Sequence, residues 1–187
     1  MKKSLWIIML ILVLISGCDK KNIESLDNGK LKGTITLSGA WALYPMAVKW
    51  AEEFMKLHPA LRIDVSAGGA GKGMADVLSD VVDIGNVSRE IFPSEIEKGV
   101  WWVSVAKDAV VPIFNEKNPY IKAILSQGVT QEEFQNIWKT KKIKFWDEII
   151  DKTNTNNINV YTRSDACGAA QTWAQFLGGN QEDLVGV

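Results

Sequence analysis

Histidine is almost missing from this 187-residue chain: His58, beside Pro59, is the single one. That leaves the common zinc ligand sets and histidine-dependent triads with few candidates. His58 reads as a surface or boundary residue at the end of a helix. Cysteine is scarce as well, and Cys18 and Cys167 are too few for a disulfide framework. No basic run is present and the formal net charge is −1, which excludes an obvious nucleic-acid partner. There is no internal repeat and no low-complexity stretch. The longest apolar run, residues 5–15, falls short of the roughly 20 residues of a transmembrane helix. The carboxylate pairs Glu52-Glu53 and Glu132-Glu133 lie on predicted helices and read as solvated, so no catalytic constellation emerges. The chain is not expected to be an enzyme.

What is present begins with an address. Lys2 and Lys3 precede the apolar run, and Ser16 and Gly17 lead into Cys18. This order suits a secretory signal peptide over residues 1–17. The stretch LISGC, residues 14–18, resembles the lipobox of bacterial lipoproteins, which implies a lipid on the Cys18 thiol and a membrane-surface anchor. Removing Lys2 and Lys3 with the leader moves the formal charge from −1 to −3. Residues 18–32 then form a polar tether with little to bury. Cys167 is left alone in an oxidising compartment and is expected to be buried and inert.

After Gly33 the pattern alternates. GTITLSG (33–39), RIDVSA (62–67) and VVDIGNV (81–87) read as strands rich in β-branched residues. The first leads through AWALYP into a helix with Pro45 at its first position, on which Ala47, Trp50, Ala51, Phe54 and Leu57 make an apolar stripe before Pro59 ends it. The second leads through GGAGKG into a helix around residues 74–78. Strands alternating with helices predict a parallel α/β sheet. WWVSVAKDAVVPIFN (101–115) suggests two further strands, and PYIKAILSQG and TQEEFQNIWKTK suggest helices. In the latter, Thr130 followed by Glu133 is a capping-box pattern. INVYTR (158–163) reads as another strand that runs through RSDAC into the helix GAAQTWAQFL (168–177). This organisation places a first α/β lobe at 33–105 and part of a second at 106–187. The eight tryptophans supply ample aromatic core.

Four strand–loop–helix junctions thus share one property. The first turn of a helix exposes unpaired N–H groups and a partial positive charge, which attract anions. Ligands of open α/β sheets sit beyond the carboxyl ends of the strands. A nucleotide loop is excluded, because Ser66 stands five residues before Gly71 and Gly73 follows Lys72, breaking G-x-x-x-x-G-K-[ST]. No cofactor is expected.

The order and spacing of SGAWALYP (38–45), SAGGAGKGMADV (66–77), VDIGNVSREI (82–91), AKDAVVPIFN (106–115) and YTRSDACGAAQTW (161–173) resemble the periplasmic phosphate-binding protein of ABC importers, within the type II periplasmic-binding-protein superfamily. The resemblance implies an α/β, two-lobed fold with mostly parallel sheets that closes on an oxyanion and delivers it to a permease. By position it implies ligand contacts from Ala42, Leu43 and Tyr44, then from Gly69, Ala70 and Gly71. Ser88 and Arg89 follow the third strand; Arg163, Asp165, Cys167, Gly168 and Ala169 follow the fourth. Asp165 is placed to orient Arg163. This chain departs from the family pattern where Leu43, Ala70, Cys167 and Ala169 replace hydroxyl residues, and where Arg89 replaces the Asp that accepts the proton of hydrogen phosphate. Such changes relax discrimination, so sulfate, molybdate and tungstate stand beside phosphate as ligands. The family's strands that return to the first lobe have no counterpart before Val187, and the second lobe is expected to be incomplete.

Two other functions stay open on the sequence. One is a sensory or scaffold module of the same fold, docking to a partner protein without binding an anion. The other is an enzyme with Cys167 as a nucleophile at a helix N-terminus, for which the sequence offers no base.

Overall fold

The computed structural model describes residues 24–25, 31–150 and 156–186. The leader 1–17, Cys18 and most of the tether lie outside these residues; the part of the tether that is described, 24–25 and 31–32, is paired strand rather than loose chain. A short strand β1 (Glu24–Ser25) pairs antiparallel with the start of β2 (Leu31–Gly39). β2 then continues α1 (Tyr44–Leu57), β3 (Leu61–Ala67), α2 (Ala70–Leu78) and β4 (Ile84–Asn86). β2 is the central strand. It pairs in parallel with β3 from Gly33↔Leu61 to Gly39↔Ala67, and with β4 from Leu37↔Ile84 to Gly39↔Asn86. Parallel neighbours need crossover connections, and α1 and α2 supply them. Consequently β2, β3 and β4 all end at one edge, at Gly39, Ala67 and Asn86.

Burial along β3 alternates: Leu61 is buried, whereas Arg62 and Asp64 point away and pair at 2.8 Å. Close approach between α2 and the sheet depends on two glycines. A Cβ on Gly73 would lie 2.6 Å from Asn86 O and 2.8 Å from the Gly39 Cα. Gly39 itself has φ +135°, open to glycine and strained for other residues. Beneath them Ser38 is fully buried and donates its hydroxyl to Asp76 at 2.6 Å.

The apolar stripe of α1 is only half used. Ala47 and Ala51 are buried, but Trp50 is 46% exposed and Leu57 72%. At about 100° per residue, Trp50 and Leu57 both sit roughly 100–120° around the helix from Ala51, on the same side. They therefore lie to one side of the line of contact with β3. Phe54 rests against His58, with ring centroids 4.7 Å apart.

The second unit is helical. A short α3 (Pro93–Ile96) follows the sheet, and α4 (Ile121–Gln127), α5 (Gln131–Trp138) and α6 (Gly168–Phe176) come later. The Thr130 box forms as read: Glu133 N–H donates to Thr130 Oγ1 at 3.2 Å and Thr130 N–H to Glu133 Oε2 at 2.6 Å. One core cluster holds Tyr120, Ile124 and Ile150; a second holds Phe134, Ile137 and Leu177. Phe134, Trp138 and Trp173 meet edge to face at 5.1–5.8 Å, which ties α5 to α6.

Three predicted strands need correction. Residues 101–115 carry no strand, and every side chain from Trp101 to Ile113 is exposed. Residues 158–163 likewise carry none; the nearest pairing is a single bridge, Phe145↔Asn157. A strand exists only with a neighbour to pair with, and neither segment has one among the described residues. The parallel sheet therefore belongs to the first unit alone.

Candidate functional site

The three parallel strands deliver their following turns to one edge, and α6 arrives there from the second unit. After β3, the N–H groups of Gly68 and Gly69 donate to Gly39 O at 2.9 and 3.0 Å, which sets the entry to α2. Gly71, in the first turn of α2, donates its N–H to Ala166 O at 3.3 Å. That bond joins the first unit to the loop before α6. A second joint lies beside it. A Cβ on Gly168 would fall 2.1 Å from Ser88 Oγ, so only glycine lets the Ser88 hydroxyl reach the start of α6.

Arg89 is buried beside Ser88, with only 8% of its side chain exposed. Its guanidinium donates to Glu95 Oε1 at 2.7 Å, to Glu95 Oε2 at 3.0 Å and to Glu90 O at 2.8 Å. It also lies 4.0 Å over the Phe92 ring. Arg89 holds the Glu95 carboxyl below the usual carboxylate range, and the Phe92 N–H, donating at 2.8 Å, adds to this. Glu95 is thus spent on fixing Arg89.

In the loop 163–167, Arg163 and Asp165 form a two-pronged pair, Nε–Oδ1 and Nη2–Oδ2, both 2.7 Å. Asp165 orients Arg163 here. Its hydrogen bonds raise the guanidinium pKa, and Arg163 in turn holds Asp165 low. Cys167 is the N-cap of α6 but makes no side-chain cap bond; it is a free, buried thiol. Helix geometry leaves the N–H groups of Gly168, Ala169 and Ala170 without intrahelical partners.

Between the two units lies a cavity of about 430 Å³. Gly71, Arg89 and Phe92 line one side, and residues 162–167 with Gln171, Gln181, Glu182 and Leu184 line the other. Thr162 Oγ1 is buried in this wall with no hydrogen-bond partner among the described residues. Of the residues singled out above, Gly71, Arg89, Arg163, Asp165 and Cys167 meet at the cavity. Gly69, Ser88 and Gly168 pack directly behind it, and Ala70 is buried at the start of α2. Ala169 is exposed in the first turn of α6, off the lining. Ala42, Leu43 and Tyr44 contribute nothing to the lining. Sequence reading missed Thr162, Gln171 and Gln181. An amide that reaches backbone groups many residues away leaves no local signature. Lys72, suggestive in GGAGKG, turns back onto Asp76 of its own helix.

Residues 27–184 match the PBP superfamily domain. The chain belongs to that superfamily. It is 29% identical over 200 residues to the phosphate-binding protein PstS of Bacillus subtilis, covering all of this chain and 64% of that one. It is 27% identical over 184 residues to the phosphate-binding protein PstS of Methanocaldococcus jannaschii, covering 88% and 46%. Among solved structures it is similar to a phosphate ABC transporter substrate-binding protein of Clostridium perfringens with bound phosphate, at TM-score 0.68 and 25% identity over 81% of this chain and 59% of that one. An ABC-type phosphate transport receptor of Vibrio cholerae shares the fold at TM-score 0.61 and 24% identity. The chain spans less than two thirds of the length of each. The α/β fold with a parallel sheet is that of periplasmic binding proteins, and the partial span fits an incomplete second lobe.

Proposed function

We propose that this chain is a lipid-anchored, non-enzymatic receptor that captures a small oxyanion, phosphate first, for an ABC import permease. The observation that carries the reading is the meeting of two helix N-termini, those of α2 and α6, at the Gly71–Ala166 bond, with Ser88 against Gly168. The helix-opening N–H groups, the Ser88 hydroxyl and the Arg163 guanidinium are gathered at or just behind this junction, which supplies the donor types an oxyanion needs. Kinship with phosphate-binding proteins supports phosphate as that anion. The lipobox-like LISGC supports the lipid on Cys18, and kinship with phosphate-binding proteins supports a permease partner. The one carboxylate of residues 162–167, Asp165, is engaged by Arg163 through both oxygens, which disfavours the enzymatic reading.

The test is calorimetric titration of the lipid-free chain with phosphate, sulfate, molybdate and tungstate. Saturable binding of phosphate is expected, with the others weaker. Arg163→Ala removes a charge-assisted hydrogen bond of about 1.5–3 kcal/mol, so affinity should fall roughly ten- to a hundredfold. Unchanged affinity in that variant sinks the site as drawn. A folded wild type that binds none of the four anions favours the scaffold reading.

A further inference from the structure

The loop 163–167 is exposed along much of its length, yet the start of α6 depends on its shape. What holds it is a side chain from outside the loop. Gln181, at the start of a 3-10 turn (Gln181–Asp183), donates from Nε2 to Asp165 O at 2.5 Å and to Arg163 O at 3.3 Å. Its Oε1 accepts the Cys167 N–H at 3.0 Å. One amide therefore grips alternate residues of the loop, using its acceptor once and its two donor hydrogens once each. The orientation of the amide is fixed by its partners. Flipped, it would set NH₂ against an N–H and oxygen against two carbonyls.

Gln181 is itself anchored. Its backbone N–H donates to Gln171 Oε1 at 3.0 Å, and Gln171, buried to 6% exposure on α6, donates from Nε2 to Asn180 Oδ1 at 3.3 Å. Asn180 N–H is held in turn by Asp183 Oδ2 at 2.8 Å. The chain of bonds runs from the body of α6, through the 3-10 turn, and back to the loop that opens α6. A lone stabilising contact would not need this circuit.

We propose that Gln181 is a positioning residue for the oxyanion cradle, clamping the Arg163–Asp165–Cys167 backbone so that Arg163 and the first N–H groups of α6 face the same point. The proposal rests on the reading of this loop as an anion cradle. Gln181 lines the cavity wall, and its action on the ligand is through the loop it holds.

The experiment compares the full chain with Gln181→Met, Arg163→Ala and the double variant, each titrated with inorganic phosphate. Amide hydrogen exchange is followed at Cys167. Gln181→Met keeps the side-chain length without the hydrogen bonds, and about tenfold weaker phosphate binding is expected. The loss should shrink by about threefold or more in the Arg163→Ala background, because coupled residues are non-additive. Equal losses in the two backgrounds overturn the proposal, since a purely structural role acts regardless of Arg163. If Gln181→Met does not fold, Gln181→Glu replaces it: the carboxylate still accepts from Cys167 but repels both carbonyls, and the same comparison decides. Should the wild type bind none of phosphate, sulfate, molybdate and tungstate, the cradle reading fails. The clamp is then judged by exchange alone. A Cys167 amide protected in wild type and unprotected in the variant upholds it, and one unprotected in wild type refutes it.

Discussion

Two arginines line the cavity, and each already holds a carboxylate: Arg89 with Glu95, and Arg163 with Asp165. An anion held here would meet no surplus of formal charge. On the proposed reading, attraction falls to the helix N-termini and to whichever guanidinium hydrogens stay free. Asp165 has a second consequence. A carboxylate close to the ligand repels fully ionised sulfate but can accept a hydrogen bond from a protonated phosphate. With Arg89 standing where the family resemblance implies an acceptor, Asp165 and Glu90 are the carboxylates to test for discrimination, and of the two Asp165 lines the cavity. Asp165→Asn is therefore expected to raise sulfate affinity relative to phosphate by about fivefold, on the scale of ~1 kcal/mol per unit charge at 4 Å in water. Competition titration measures it, and an unchanged ratio assigns discrimination elsewhere.

At the scale of elements, the link between β4 and α3 is an ion pair buried under the site. Glu95 has a folded pKa below its unfolded value of about 4.3, so the stability it contributes is present above that value and is lost as pH falls through the folded pKa. Glu95→Gln strands the Arg89 charge and should cost about 3–5 kcal/mol near neutral pH. The gap between wild type and variant should close in acid, where the wild-type carboxyl is itself neutral. Urea unfolding at several pH values tests this; a gap independent of pH denies the pair its role. The same pair shows where legibility in sequence ends. β2, β3, α1 and α5 could be read because their signals are local: alternation, a helical stripe, Pro45, the Thr130–Glu133 box. The partner of Arg89 could not be read, because nothing in SREIFPSE distinguishes Glu90 from Glu95 until the chain turns at Pro93. The Gln181 clamp is hidden for the same reason, and the predicted strand 158–163 fails because β propensity without a pairing partner makes no ladder.

For the molecule as a whole, the dominant surface feature is the segment from Trp101 to Ile113. It carries Trp101 at 83% exposure, Ile113 at 88%, and Trp102, Val103, Val105, Val110 and Val111 between them, all exposed. No strand among the described residues pairs with its backbone. Contiguous apolar surface beside unpaired, β-prone backbone is the composition of an association site, and charge placed on such a strand opposes it. The isolated chain is accordingly expected to self-associate with rising concentration and to bind a hydrophobic dye while folded. Val103→Lys with Val111→Lys should suppress both without weakening anion binding, since neither residue lines the cavity. Light scattering across a concentration series makes the measurement. A wild type that stays monomeric and dye-silent would mean that this segment is covered in solution, and then the covering polypeptide, rather than the apolar side chains themselves, governs the second lobe.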